Sequence, residues 1–184
     1  MSLDSDNALL VQLLFDFGLI DGPAVIDWAD AQIVALASPP SRLIELSTTP
    51  VARTADLLSH LSALALGADY WDAFRALLGL LYEGIALHPE RTQLFNNEVY
   101  SRLVRAPPVR AIPSDLPSDL EFFYTFGDKL DLARRRIFGD FHTVVHEYLA
   151  HLQAFERFKR VPSGLVLEDK ASSEWPIALG QPES

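Results

Sequence analysis

Apolar residues recur at three- and four-residue spacing along most of the chain, and alternating runs of β-branched residues are nearly absent. This spacing is typical of helices that bury one face, whereas a half-buried strand alternates apolar and polar residues. The pattern therefore predicts an all-α fold of about seven helices. The predicted helices cover residues 6–17, 21–36, 41–46, 50–66, 69–87, 89–104 and 119–160.

Several ends of these helices carry residues that start or stop a helix. Asp21 and Pro23 open the second predicted helix, because proline is tolerated in the first turn, and Ser41 is expected to cap the third with its side-chain oxygen. Gly18 follows the first helix, where a left-handed glycine ends a helix without strain. The last predicted helix contains Gly127 and Gly139, which we expect to bend or split it.

The helix at 69–87 is apolar on most of its circumference, a pattern typical of a helix buried at the centre of a domain. We therefore expect a single irregular bundle packed around it, forming one domain over residues 1–160. Glu83 lies in this helix, and we expect it to reach the helix edge or to pair with an arginine of another segment. Four prolines between 106 and 119 predict a loop, and residues 161–184 predict an extended, partly disordered tail.

Composition excludes several classes of protein. The chain has 184 residues, of which 49% are hydrophobic and 22% charged, values that are typical of a globular protein rather than a disordered one. It has no cysteine, so disulfides, thiolate metal sites and thiol nucleophiles are absent. The longest nearly apolar stretch has 12 residues, 76–87, too few to cross a membrane, which takes about 20. Two aspartates and no basic residue in the first seven positions predict a cytoplasmic protein.

Negative charge is concentrated at the front of the chain. The net charge is −10, and residues 1–66 hold eight acidic residues against two arginines. This balance argues against nucleic-acid binding and favours a basic protein partner. Four carboxylates, Asp16, Asp21, Asp27 and Asp30, flank Trp28, and an exposed aromatic among acids would form a partner-binding patch. The alternative is that Trp28 packs in the core and the acids only solvate two helices.

Two histidines in the last predicted helix form a candidate metal site. His142 and His146 are four residues apart, so their side chains share one helix face and could bind one metal ion. A third ligand would have to come from another segment, and the alternative is that both histidines are solvated. Phosphate-binding glycine loops, dinucleotide-binding motifs and nucleophile-elbow serines are absent from the sequence.

The chain has one basic run, Arg134, Arg135 and Arg136. We expect a solvated helix face on which Asp131 pairs with Arg135 and Arg136 pairs with Asp140, because residues four apart are neighbours on a helix. Three residues are too few for a nucleic-acid footprint.

Four short stretches, at residues 17–20, 25–30, 39–40 and 43–47, resemble small uncharacterised bacterial proteins. Some of these proteins resemble the immunity-type proteins encoded beside polymorphic toxins. The resemblance covers about the first 50 residues and contains no catalytic motif. It implies a structural module with at most an inhibitor-like role, and it assigns no functional residue.

These observations favour a non-enzymatic interaction protein that needs no cofactor and binds a basic protein, as an immunity-like inhibitor would. A first alternative is a helical metal-dependent enzyme that uses His142 and His146. A second alternative is a structural or assembly subunit, which would expose a large apolar face and form a homo-oligomer.

Overall fold

The computed structural model describes residues 3–105 and 117–167. These residues contain eight α-helices and two short 3-10 helices, and no strand occurs among them. The all-α prediction is confirmed. The α-helices are α1 (Ser5–Asp16), α2 (Gly22–Ala35), α3 (Ser41–Ser47), α4 (Thr54–Leu64), α5 (Tyr70–Leu87), α6 (Thr92–Arg105), α7 (Pro117–Arg134) and α8 (Phe141–Gln153). The 3-10 helices are Pro89–Arg91 and Glu156–Phe158.

Two predicted features fall mostly outside the described residues. These are the proline-rich loop, of which 106–116 lie outside, and the extended tail, of which 168–184 lie outside. Residues 117–119, at the end of the predicted loop, already belong to α7, so this helix begins two residues earlier than predicted.

The contacts within the chain group it into two compact units. Among the described residues, the first unit comprises 3–77 and 160–167, and the second comprises 78–105 and 117–159. The division falls inside α5, and residues 161–167, the described part of the predicted tail, group with the first helices of the chain. A single domain over 1–160 stays a prediction.

In the first unit, the first four helices form a layered core. Helix α2 packs on α3, α3 on α4, and α4 on α1. Gln32 donates a hydrogen bond to the Ser163 carbonyl at 2.6 Å, and Arg160 pairs with Asp72 at 2.6 Å, so residues 160–163 are tied to this unit. The largest fully buried side chains here are Leu10, Leu14, Phe17, Trp28, Leu43, Leu46, Phe74, Leu57 and Leu61.

Aspartates at the front of the chain accept backbone hydrogen bonds. Asp4 caps α1, and Asp21 caps α2 by accepting from the Ala24 N–H at 2.9 Å. Asp6 accepts from the N–H of Asp69 at 2.9 Å. Part of the acidic excess therefore has a structural use, because it satisfies N–H groups that helix geometry leaves free.

Two other predictions about helix ends have opposite outcomes. Gly18 has a φ of 67°, so the left-handed residue predicted after α1 is confirmed. The predicted cap at Ser41 is wrong, because Ser41 is the first residue of α3 itself. Pro40 takes the capping position there and contributes no side-chain hydrogen bond.

In the second unit, α7 packs on both α6 and α8 around an aromatic core. Asn96, almost fully buried on α6, donates to the Phe123 carbonyl on α7 at 3.1 Å. Tyr148 is fully buried and lies against Phe126, with ring centroids 4.7 Å apart. Burial raises the pKa of the Tyr148 hydroxyl far above its usual value, so this group stays neutral.

The last predicted helix is split into α7 and α8. Gly139, with a φ of 75°, and the N-cap Asp140 separate the two helices, whereas Gly127 lies within α7. Apolar residues at 138, 141, 145, 148, 152 and 155 step by three and four, which predicts one buried stripe along the last helix. Phe138 is 66% exposed, because it lies in the connection rather than on a helix, and Phe141 is half-buried. The later members of the stripe are buried as predicted: Val145, Tyr148, Leu152 and Phe155.

Gly79 allows the chain after α8 to lie directly on α5. A Cβ atom at this position would lie 2.7 Å from the Phe155 carbonyl oxygen and 3.2 Å from the Lys159 Cα. Lys159 then pairs with Glu83, one turn further along α5. Glu83 is therefore a half-exposed, paired carboxylate at the helix edge, as expected, although its partner is a lysine rather than an arginine.

We expect Gly79→Ala to destabilise the protein by about 1–3 kcal/mol, because the added methyl group meets backbone that cannot easily yield. Helix propensity alone favours alanine over glycine by about 1 kcal/mol, so the sign of the change is diagnostic. Urea denaturation measures it. An increase in stability would show that the close approach of residues 155–159 to α5 does not exist in solution.

Candidate functional site

Trp28 is completely buried, so the prediction that it anchors a partner at the surface is wrong. Val25 and Ala29 are also fully buried and lie on the same face of α2. Helix geometry places positions 25, 28 and 29 together, and this face packs into the first unit. The alternative interpretation, in which Trp28 belongs to the core, is confirmed.

The four predicted acidic residues separate into two pairs. Asp27 and Asp30 are exposed on the outward side of α2. Asp16 and Asp21 lie at the two ends of the connection between α1 and α2 and are only half exposed, and Asp21 serves as the cap of α2. Asp27 and Asp30 are therefore the pair in this set that faces solvent most fully.

Two exposed apolar side chains accompany this pair. Asp30 accepts a hydrogen bond from the Ser47 hydroxyl on α3. Val34, 88% exposed, lies one turn after Asp30, and Ile44, 46% exposed, lies one turn before Ser47. Val34 follows Asp30 and Ile44 precedes Ser47, so along the chain both apolar residues lie between that hydrogen bond and the five-residue connection at 36–40. We call Asp27, Asp30, Val34 and Ile44 the α2–α3 surface.

His142 and His146 are both exposed on α8. Their four-residue spacing places them on one side of the helix, as predicted. Across the described ranges, 3–105 and 117–167, no group of three His, Cys, Asp or Glu side chains is arranged to hold a metal ion. In the described part of the chain, the two histidines therefore have no third ligand.

The second unit contains an open groove where α7 ends and α8 begins. It encloses about 560 Å³, within the range of sites that bind small molecules. Sequence patterns indicated the basic run, Asp140 and His142 separately and did not predict that they line one groove, because the lining comes from three segments of the chain. We call it the α7–α8 groove, and its lining residues are Glu90, Ala133, Arg134, Arg136, Gly139, Asp140, Phe141 and His142.

Arg136 occupies the position that ends α7. Its φ is 57°, and it is the one non-glycine residue with positive φ in the described chain. The Arg136 N–H donates to the Ala133 carbonyl at 3.0 Å, and the Ile137 N–H donates to the Leu132 carbonyl at 2.9 Å. This pair of bonds is the Schellman motif, in which the left-handed residue is usually glycine.

The basic run is not the uniform solvated helix face that was expected. Arg135 pairs with Asp131 at 3.0 Å, as predicted. The predicted pair of Arg136 with Asp140 is wrong, because α7 has ended before Arg136 and the four-residue helical spacing no longer applies. Arg134 and Arg136 line the groove, and neither forms an ion pair within the described residues.

Both carboxylates at the groove already have partners. Asp140 accepts from the Thr143 N–H at 3.0 Å as the cap of α8. This backbone hydrogen bond, with smaller contributions from the Thr143 hydroxyl and His142, lowers the pKa of Asp140 below its ordinary value. Glu90 lies 3.4 Å from His88. The groove is therefore lined by two arginines without an ion pair in the described residues and by the ionised carboxylate of Asp140, whose hydrogen bonds come from neutral groups.

No family model, curated protein or solved structure matches this chain. The resemblance of the first 50 residues to immunity-type proteins therefore stays a prediction. None of the described helices combines the length and apolar character needed to cross a membrane.

We expect Arg136→Gly to stabilise the protein by up to about 1 kcal/mol, because glycine adopts the left-handed conformation without the steric cost that arginine incurs. Thermal unfolding measures the change. Arg135→Gly is the matched control. It should be destabilising, because it removes the ion pair with Asp131 at a position whose φ is not positive. A loss of stability in Arg136→Gly would contradict the assigned backbone conformation.

We expect the stability lost in Asp140→Ala to depend on pH. The pKa of Asp140 is lower in the folded state, so its ionised form stabilises the fold above the unfolded pKa near 3.8. That contribution disappears as the pH falls below this value through the folded pKa. Melting curves of the wild type and the variant should therefore differ most near about pH 7 and converge as the pH falls below 3.8 through the folded pKa. Asp128→Ala, at an exposed position within α7, is the control, and an equal difference at both pH values would refute the capping role.

Proposed function

We propose that this chain is a non-enzymatic interaction protein that binds a basic protein through the α2–α3 surface. The observation that carries the proposal is the combination of exposed carboxylates and exposed apolar side chains on adjoining helix faces. Asp27 and Asp30 face solvent from α2, and Val34 is 88% exposed one turn further on.

The apolar side chains of this surface would supply the short-range part of binding. Burying an exposed aliphatic side chain contributes roughly 1.5–3 kcal/mol, and Val34 and Ile44 are both available for burial. They take the anchoring role that the sequence assigned to Trp28. Because α2 and α3 are joined by a short connection, the partner would meet a surface that is already formed.

The carboxylates would supply the long-range part of binding. Residues 1–66 hold eight acidic residues against two arginines, so this part of the chain attracts a positively charged partner. Asp27 has no hydrogen bond or ion pair within the described residues, which leaves its charge available. An inhibitor that covers a basic site, as the resemblance to immunity-type proteins implies, fits this charge pattern.

We expect the double reversal Asp27→Lys with Asp30→Lys to weaken binding by roughly tenfold or more and to reduce its dependence on salt. The partner is first captured from a bacterial lysate with a tagged protein at low salt, and its affinity is then measured by calorimetry at two salt concentrations. Glu121→Lys with Asp128→Lys is the matched control, since both are exposed acids on α7 and the change in net charge is identical. Equal losses in the two variants would show that net charge, rather than the α2–α3 surface, determines binding.

Val34→Ala separates the apolar contribution from the electrostatic one. We expect this variant to lose roughly fivefold in affinity while the salt dependence of binding stays unchanged, because a methyl-sized truncation removes buried area and no charge. An unchanged affinity would place the contact elsewhere on the chain. A partner that binds equally well at low and high salt would exclude charge complementarity.

A further inference from the structure

The α7–α8 groove lies in the second unit, apart from the residues of the proposed protein interface. It places two unpaired arginines beside His142 in a chain whose net charge is −10. Positive side chains without carboxylate partners are uncommon in so acidic a chain. Arg134, Arg136 and His142 therefore need an explanation other than ion pairing.

The backbone conformation at position 136 favours glycine over arginine. The Schellman motif is formed by backbone groups, and glycine would adopt the required φ without strain. The Arg136 side chain is exposed, so it fills no core space. By contrast, Arg135 turns away from the groove lining and pairs with Asp131. Arg134 lies in the last turn of α7, where a cation interacts favourably with the helix dipole, and it lines the groove with Arg136 without an ion pair in the described residues.

We propose that the α7–α8 groove binds a small organic anion that carries a phosphate or a carboxylate group. A guanidinium presents a planar set of donors that matches the oxygens of either group, and Arg134 and Arg136 offer two such sets. His142 lines the same groove and adds a ring nitrogen that can donate. Phe141 and Ala133 provide apolar surface for the organic part of the ligand.

The two carboxylates at the groove lower its positive charge, but neither forms an ion pair with Arg134 or Arg136 in the described residues. Asp140 directs an oxygen at the first turn of α8, where it accepts from the Thr143 N–H. Glu90 lies near both His88 and Arg91, at 3.4 Å and 3.8 Å, so its charge is balanced outside the set of arginines. The groove volume of about 560 Å³ exceeds what a bare inorganic anion needs and suits an aromatic or sugar-sized organic group.

The test uses three probes of similar size on the full chain. Phenyl phosphate and benzoate carry the two candidate anionic groups, and benzyl alcohol carries none. Calorimetry and amide chemical shifts should show saturable binding of at least one anion, with shifts confined to residues 133–142 and Glu90. Binding of phenyl phosphate alone, or of benzoate alone, identifies the anionic group. Equal binding of benzyl alcohol, or no saturable binding of either anion, would overturn the proposal.

Variants then connect binding to the two arginines. We expect Arg134→Gln and Arg136→Gly each to weaken binding of the better anion by roughly tenfold, while Arg135→Gln changes it by less than about twofold. Arg136→Gly is informative because it is expected to gain stability, so lost binding cannot be attributed to unfolding. An equal loss in Arg135→Gln would show that the anion is attracted by the positive charge of this segment in general, and would contradict a specific site in the α7–α8 groove. All three variants leave the α2–α3 surface intact, so this result is independent of the protein interface.

Discussion

The close approach of residues 155–159 to α5 is the contact on which the second unit depends. It requires the absence of a side chain at Gly79, because the Phe155 carbonyl oxygen lies where a Cβ atom would be. A helix that is apolar around most of its circumference must be covered closely, since exposed apolar surface costs about 25 cal/mol per Å². The same approach brings Lys159 to Glu83, which gives the carboxylate of this apolar helix a cation at its edge. One glycine thus determines both the packing of α5 and the pairing of its charge.

Helix capping explains much of the acidity that first suggested a binding function. Asp4, Asp21 and Asp140 each begin a helix by accepting a backbone hydrogen bond, and Asp6 accepts one from Asp69. Each bond satisfies a donor that would otherwise lie unpaired at a helix end, a contribution of about 1 kcal/mol for a typical cap. A count of acidic residues therefore overstates the charge available to a partner. Asp27 and Asp30, on the outward side of α2, cap no helix, and their charges remain available to a partner.

Sequence periodicity predicted the helical class and the positions of α1, α2 and α5, because burial of one face leaves a repeat in the sequence. The same periodicity is consistent with the buried position of Trp28, because Trp28 lies on the same face of α2 as Val25 and Ala29. The split between α7 and α8 was only partly predictable, since Arg136 adopts a left-handed conformation that its residue type does not indicate. The α7–α8 groove could not be predicted, because Glu90 meets the end of α7 only through tertiary packing.

Two of the residues assigned to the proposals, Val34 and Arg136, are not the residues that the fold itself favours at their positions. A valine that is 88% exposed gains nothing from burial, and an arginine with a φ of 57° is less stable there than glycine. Natural sequences agree with their structures at most positions, and positions that violate a local rule without a compensating contact are where function is expected. Core residues such as Trp28 satisfy every local rule and are explained by packing alone. At Val34 and Arg136, a contact from outside the chain would supply what the fold does not.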